Sequence, residues 1–163
     1  MDHLHIGIMS GTSLDGVDIA LTRFSEQPRR ATLVGALCMP FSSSLRNDLL
    51  SLCQPGADEI RRAGLAAEQW ARLAAEGVHR LLARHDVEAT RISAIGSHGQ
   101  TIRHHPESGF SVQIGAPALL AELSGIDVIC DFRNRDLAAG GEGAEQVHVV
   151  VHAELRGDGE HQR

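Results

Sequence analysis

Hydrophobic and polar positions alternate along the first forty residues in three runs. Leu4 to Met9 is apolar enough for a strand. Val17 to Phe24 alternates and puts Val17, Ile19 and Leu21 on one face, and Ala31 to Met39 is a third strand candidate. "SGTSLDG" joins the first two runs and "SEQPRR" the next two, which predicts an antiparallel three-stranded meander. The period then changes. Ser43 or Ser44 is placed to cap a helix running to Leu52, and "CQPGA" breaks it. From about Asp58 to His85, the positions Ile60, Ala63, Ala67, Trp70, Ala74, Val78 and Leu81 step by three or four. They predict one long helix with a single buried stripe and a solvated face of Arg and Glu. Ile92 to Ile95 reads as a short strand that ends at "GSHGQT", and Phe110 to Ile114 as another. Ala116 to Leu123 reads as a helix with Pro117 in its first turn, and Ile126 to Cys130 as a buried strand before "DFRNRD". The order predicts an α/β fold, a mixed sheet with helices packed on it.

Composition narrows the function. Of 163 residues, 42% are hydrophobic and 22% charged, which suits one domain with its own core. Aromatics are only 3%, with Trp70 the sole Trp, so aliphatic and Ala side chains must fill that core. A net charge of −6 argues against a nucleic-acid partner. All 15 basic residues are Arg. The absence of Lys excludes a Walker P-loop and a Schiff-base mechanism. Phosphate chemistry here must therefore use backbone N–H groups, hydroxyls, Arg and a metal ion. Cys38, Cys53 and Cys130 are widely spaced and read as free thiols in a reducing compartment. The start "MDHLHIGIM" has no basic leader, and no apolar run approaches the ~20 residues of a membrane span. A cytoplasmic location and no membrane partner are expected.

Three polar segments, read as loops, follow predicted strands; two of them carry glycine. In "SGTSLDGVD", Gly11 and Gly16 admit a ligand close to the backbone, and Ser10, Thr12 and Ser13 add hydroxyls. Asp15 and Asp18 are suited to hold Mg²⁺ through water. The same residues also suit a plain hairpin turn. In "GSHGQT", placed past a strand end where open α/β sheets bind ligands, His98, Gln100 and Thr101 offer hydrogen bonds. His98, His104 and His105 fit no zinc spacing. In "DFRNRD", Asp131 can accept from sugar hydroxyls, and Arg133 or Arg135 can grip a carboxylate; the alternative is a surface salt-bridge cluster. "AAGGEGA" reads as a flexible loop.

"GIMSGTSLDGVDIAL", "AIGSHGQTIRHHP" and "QIGAPALLAELSGIDVICDFRNRDLAAGGEGA" resemble the anhydro-N-acetylmuramic acid kinases, of the actin-, hexokinase- and Hsp70-like ATPase superfamily, over about Ile6 to Ala144. The resemblance implies a ribonuclease-H-like domain that begins with the meander, one of two flanking a nucleotide cleft. It implies MgATP-dependent phosphorylation of the 6-oxygen of 1,6-anhydro-N-acetylmuramic acid as water opens the anhydro ring. The product would be N-acetylmuramic acid 6-phosphate, in peptidoglycan recycling. Gly11, Thr12, Ser13, Leu14, Asp15, Gly16, Val17 and Asp18 match the family's ATP-phosphate segment. His98, Gln100, Thr101, Asp131 and Arg133 fall in segments lining its sugar side.

The family is more than twice as long. Its catalytic base is an Asp in a C-terminal "DTGPGN"-like segment that has no counterpart here. The division expected is a kinase domain over 1–144 and an unmatched tail over 145–163, "EQVHVVVHAELRGDGEHQR", which points to a truncated or frameshifted reading. The chain alone is therefore expected to lack kinase activity, and an exposed cleft face to favour self-association or a homodimer. The alternative is a phosphate- or sugar-binding remnant without catalysis. A different ATPase-fold kinase is disfavoured by the length of the "SHGQTIRHHP" and "DFRNRD" matches.

Overall fold

A computed structural model describes residues 3–26 and 29–143. Strands β1 (His3–Ser10), β2 (Gly16–Glu26) and β3 (Arg29–Pro40) form the expected antiparallel meander. Helices α1 (Ser43–Leu52) and α2 (Glu59–Arg84) follow. Strand β4 (Ile92–His105) then lies parallel to β1, β5 (Phe110–Ile114) runs antiparallel to β4, and α3 (Pro117–Ser124) leads to the two-residue β6 (Val128–Ile129) and α4 (Phe132–Ala138). The sheet order is β3-β2-β1-β4-β5, with β6 paired to β4 beside β5. This is a mixed open sheet with helices packed on it.

Alternation along β1 and β2 sends Ile6, Ile8, Val17, Ile19 and Leu21 into one core with Trp70, Ala74, Val78 and Leu81 of α2. Each large side chain buried there contributes about 1.5–3 kcal/mol of transfer free energy. A smaller cluster joins Leu45, Leu49 and Leu52 of α1 to Leu14, Ala66, Ile102 and Ile114. The opposite face of the sheet carries a groove of about 310 Å³. Its floor is thinned by Gly7, Ala20 and Gly96, and Phe24 and Phe132 stand beside it.

Several expectations are corrected. The predicted stripe of α2 is buried from Trp70 onward, but Ile60 is 92% exposed; the first turn of α2 is held by Glu59, which accepts from Arg103 at 3.0 Å, and not by its apolar residue. Ser42, not Ser43 or Ser44, caps α1 by accepting from the Leu45 N–H at 3.2 Å. The strand expected to stop at Ile95 continues to His105, so "GSHGQT" lies inside β4 rather than beyond it. Pairing to β1 on one edge and to β5 on the other carries the polar residues along. The strand expected over Ile126 to Cys130 shrinks to Val128–Ile129, and "DFRNRD" begins a helix, not a loop. The tail over 145–163 lies outside the described residues.

Candidate functional site

The β1–β2 connection is built around an inward-pointing leucine. Leu14 adopts a left-handed φ of 54°, and its N–H donates to the Gly11 carbonyl at 3.3 Å. Its side chain is buried beside α1, while Arg46 Nε donates to its carbonyl at 3.2 Å. This anchoring leaves Thr12, Ser13 and Asp15 exposed on the rim. Leu14 and Val17 have buried side chains, so only their backbone can serve a ligand. Gly16 has a structural reason: a Cβ there would lie 2.4 Å from the Met39 carbonyl oxygen on β3. Gly11 has no such crowding, with Ser13 Oγ 3.8 Å away, so of the two turn glycines it is the one that keeps open space over its backbone.

Ser10 turns inward. Trp70 Nε1 donates to Ser10 Oγ at 2.9 Å, and Ser10 Oγ donates to the Gly99 carbonyl at 3.2 Å. Gly99 sits at φ +70° in β4, where a Cβ would meet the Ile114 carbonyl oxygen at 2.4 Å. The β1–β4 register shifts at this point, between Ile8 and Ser10. Gln100, buried at 1% exposure, donates through Nε2 to the Gly11 carbonyl at 3.3 Å. The "SHGQT" segment is thus joined directly to the β1–β2 turn.

Beside this junction lies a cavity of about 290 Å³, walled by Ser97, His98 and Gly99 of β4, by Gln113, Ile114, Gly115 and Pro117, and by Cys130 and Asp131. His98 is 7% exposed. Its Nδ1 lies 3.1 Å from the Gly99 carbonyl and its Nε2 lies 3.3 Å from Arg133 Nη2. A guanidinium only donates, so Nε2 accepts and the Nδ1–H donates to Gly99, which makes His98 a neutral imidazole. Of the five sugar-side candidates, His98 and Asp131 line the cavity and Arg133 reaches it through His98. Gln100 turns to the phosphate-type turn, and Thr101 accepts from Gln113 Nε2 at 3.2 Å. His104 and His105 pair instead with Ser111 and Glu107, each at 3.2 Å.

Asp18 stands beside one thiol, and Asp15 acts on it through charge alone. Cys38 faces Asp18 across β2 and β3. Partial burial, then a hydrogen bond and charge from Asp18, then charge from Asp15, push the Cys38 thiol up to about 11. Both carboxylates therefore act on one surface beside the exposed turn. A hard-oxygen pair of this kind suits a divalent cation that retains most of its waters.

Sequence reasoning missed Gln113 and Asn134. Gln113 lines the cavity; Asn134 stands behind Asp131. Asn134 lies inside "DFRNRD" but is its one uncharged polar residue, and Gln113 lies outside the Gly-rich and charged segments; only the fold shows what each touches.

A family profile described as anhydro-N-acetylmuramic acid kinase matches residues 3–162. The match therefore runs past Ala144 into the segment set apart as a tail. Proteins named anhydro-N-acetylmuramic acid kinase are 58% identical in Pseudomonas putida over 155 residues, 56% in Pseudomonas fluorescens over 158 and 53% in Pseudomonas syringae pv. syringae over 147. These alignments cover 93%, 95% and 90% of this chain. They cover 42%, 43% and 40% of the relatives, so the chain spans about two fifths of their length.

Proposed function

Because the chain belongs to the anhydro-N-acetylmuramic acid kinase family, we propose that it forms the N-terminal part of a sugar kinase cleft. One side takes the ATP phosphates and the other 1,6-anhydro-N-acetylmuramic acid. The observation that carries this reading is the bond from Gln100 Nε2 to the Gly11 carbonyl, 3.3 Å, which holds the two candidate segments together. Phosphoryl transfer depends chiefly on positioning and charge stabilisation, so such a junction suits it. The meander followed by a parallel β4 supports a ribonuclease-H-like reading of the fold.

The roles follow from the geometry. Exposed Thr12 and Ser13, with the open backbone at Gly11, would hold phosphate oxygens by hydrogen bonds. Asp15 and Asp18 would hold Mg²⁺. MgATP supplies the phosphoryl group for the sugar 6-oxygen. His98, kept neutral by Arg133 and Gly99, and Asp131 would orient the sugar in the cavity. The carboxylate that activates water for ring opening would come from the remainder of the family's length. On this reading the chain alone is inactive or nearly so, and its apolar sheet face makes it prone to self-association.

The test is ATP- and anhydro-sugar-dependent formation of N-acetylmuramic acid 6-phosphate by the purified chain, with calorimetry for each ligand. Binding without turnover is expected. Turnover near that of a full-length relative refutes the inactivity, and absence of binding to both ligands refutes the cleft.

A further inference from the structure

Asp131 occupies the N-cap position of α4 with φ 64° and ψ 30°, a left-handed conformation that residues other than Gly seldom adopt. Its carboxylate makes no capping bond to the helix. It accepts instead from Asn134 Nδ2 through Oδ1, at 2.7 Å. The Asn134 Oδ1 in turn accepts from the Ser111 N–H of β5, at 2.9 Å. A backbone N–H only donates, so the carboxamide oxygen must face Ser111 and its NH₂ must face Asp131. The amide therefore has one orientation, referenced to the sheet rather than to the short helix. One oxygen of Asp131 is committed, and the carboxylate sits at the wall of the cavity that holds His98.

We propose that Asn134 is a positioning residue: by fixing Oδ1 of Asp131 it presents Oδ2 as a hydrogen-bond acceptor for a hydroxyl of the sugar bound in the cavity. The inference rests on the sugar-kinase reading above and adds to it a residue that touches no ligand. A carboxylate held at one oxygen loses less rotamer freedom when a hydroxyl engages the other, and that preorganisation is realised as affinity. The cavity would then favour a polyol over an equally sized apolar ligand.

The experiment is calorimetry of the full chain with 1,6-anhydro-N-acetylmuramic acid and, separately, with MgATP. Thermal midpoints and far-UV circular dichroism monitor folding. Asn134→Ala is expected to weaken the sugar about tenfold and leave MgATP affinity unchanged. The exchange Asp131→Asn with Asn134→Asp rebuilds the 131–134 hydrogen bond with donor and acceptor reversed and keeps an acceptor for Ser111. It should melt like the unmodified chain and recover most of the sugar affinity, because the carboxamide oxygen of residue 131 then takes the place of Oδ2 as the fixed acceptor. Unchanged sugar affinity in a folded Asn134→Ala, or an exchange variant that binds sugar no better than Asn134→Ala, overturns the positioning role and leaves the kinase reading intact. An unmodified chain that binds MgATP but no sugar overturns the sugar reading and this inference with it.

Discussion

Trp70, the sole tryptophan, donates its indole N–H to Ser10 Oγ across 2.9 Å from α2 to the end of β1. Both residues are buried, Trp70 fully. Ser10 therefore serves the core rather than a phosphate, although its neighbours Thr12 and Ser13 face solvent. Ser10→Ala strands a buried donor and should cost about 1–3 kcal/mol. In a Trp70→Phe background the same change should cost distinctly less, because no donor remains to be stranded. Urea unfolding of the two single variants and the double variant measures the coupling, and additive losses would contradict the bond.

Gly99→Ala should be among the most damaging single changes. The new Cβ meets the Ile114 carbonyl oxygen at 2.4 Å, and φ is +70°. Left-handed strain alone costs about 1–3 kcal/mol, and the clash adds to it. Chemical denaturation should show a loss above about 2 kcal/mol, with sugar binding weakened as the clash displaces the backbone carbonyl that His98 and Ser10 share.

The Cys38 thiol, held up to about 11 by partial burial and by Asp18 and Asp15, reports on the carboxylates beside it. An unperturbed thiol ionises near 9.0, so the unfolded chain releases this proton first. Stability from the protonated thiol is complete below that value and is lost as pH rises towards about 11. In a Cys53→Ser/Cys130→Ser background, iodoacetamide should alkylate Cys38 slowly at pH 8, and Asp18→Asn should accelerate it. Mg²⁺ at the two carboxylates should also accelerate the reaction, and should do so less in Asp18→Asn. A rate indifferent to Mg²⁺ argues against a cation there.

Ile60 and Leu81 test the revised stripe of α2. Ile60 is 92% exposed and Leu81 is buried. Ile60→Ala should change stability by less than about 0.5 kcal/mol. Leu81→Ala should cost about 2–5 kcal/mol. Thermal unfolding of both variants decides, and a large loss at Ile60 would require a contact in solution that covers it.

The meander, α1, most of α2 and β5 were legible because each buries one face against a continuous core, so sequence period and burial coincide. The course of β4 was not legible. Ser97, His98, Gln100 and Thr101 read as lying past the strand end, yet they sit within the sheet and most find partners there: Gly99 accepts from His98, Gly11 from Gln100, and Thr101 from Gln113. Helix α4 was hidden for a different reason. Its charges show no apolar stripe, and it is fastened by Phe132 lying near Gly96 and by Asn134 bonded to Ser111. At the candidate site, the sequence marks polar segments but not how their residues divide. Ser10, Gly16 and Gln100 are tied into the scaffold, whereas Thr12 and Ser13 are exposed and His98 and Asp131 line the cavity.

The tie from Gln100 to Gly11 has a mechanical consequence. Since the turn and the cavity share one sheet and are cross-linked through Gln100 and Gly99, neither can swing towards the other when a ligand arrives. On the proposed sugar-kinase reading, this part of the cleft would act as a fixed jaw. Any clamping around substrates would then be a displacement of whatever stands opposite it, and variants that loosen the Gln100 tie should blur the alignment of the two ligands before they weaken either one.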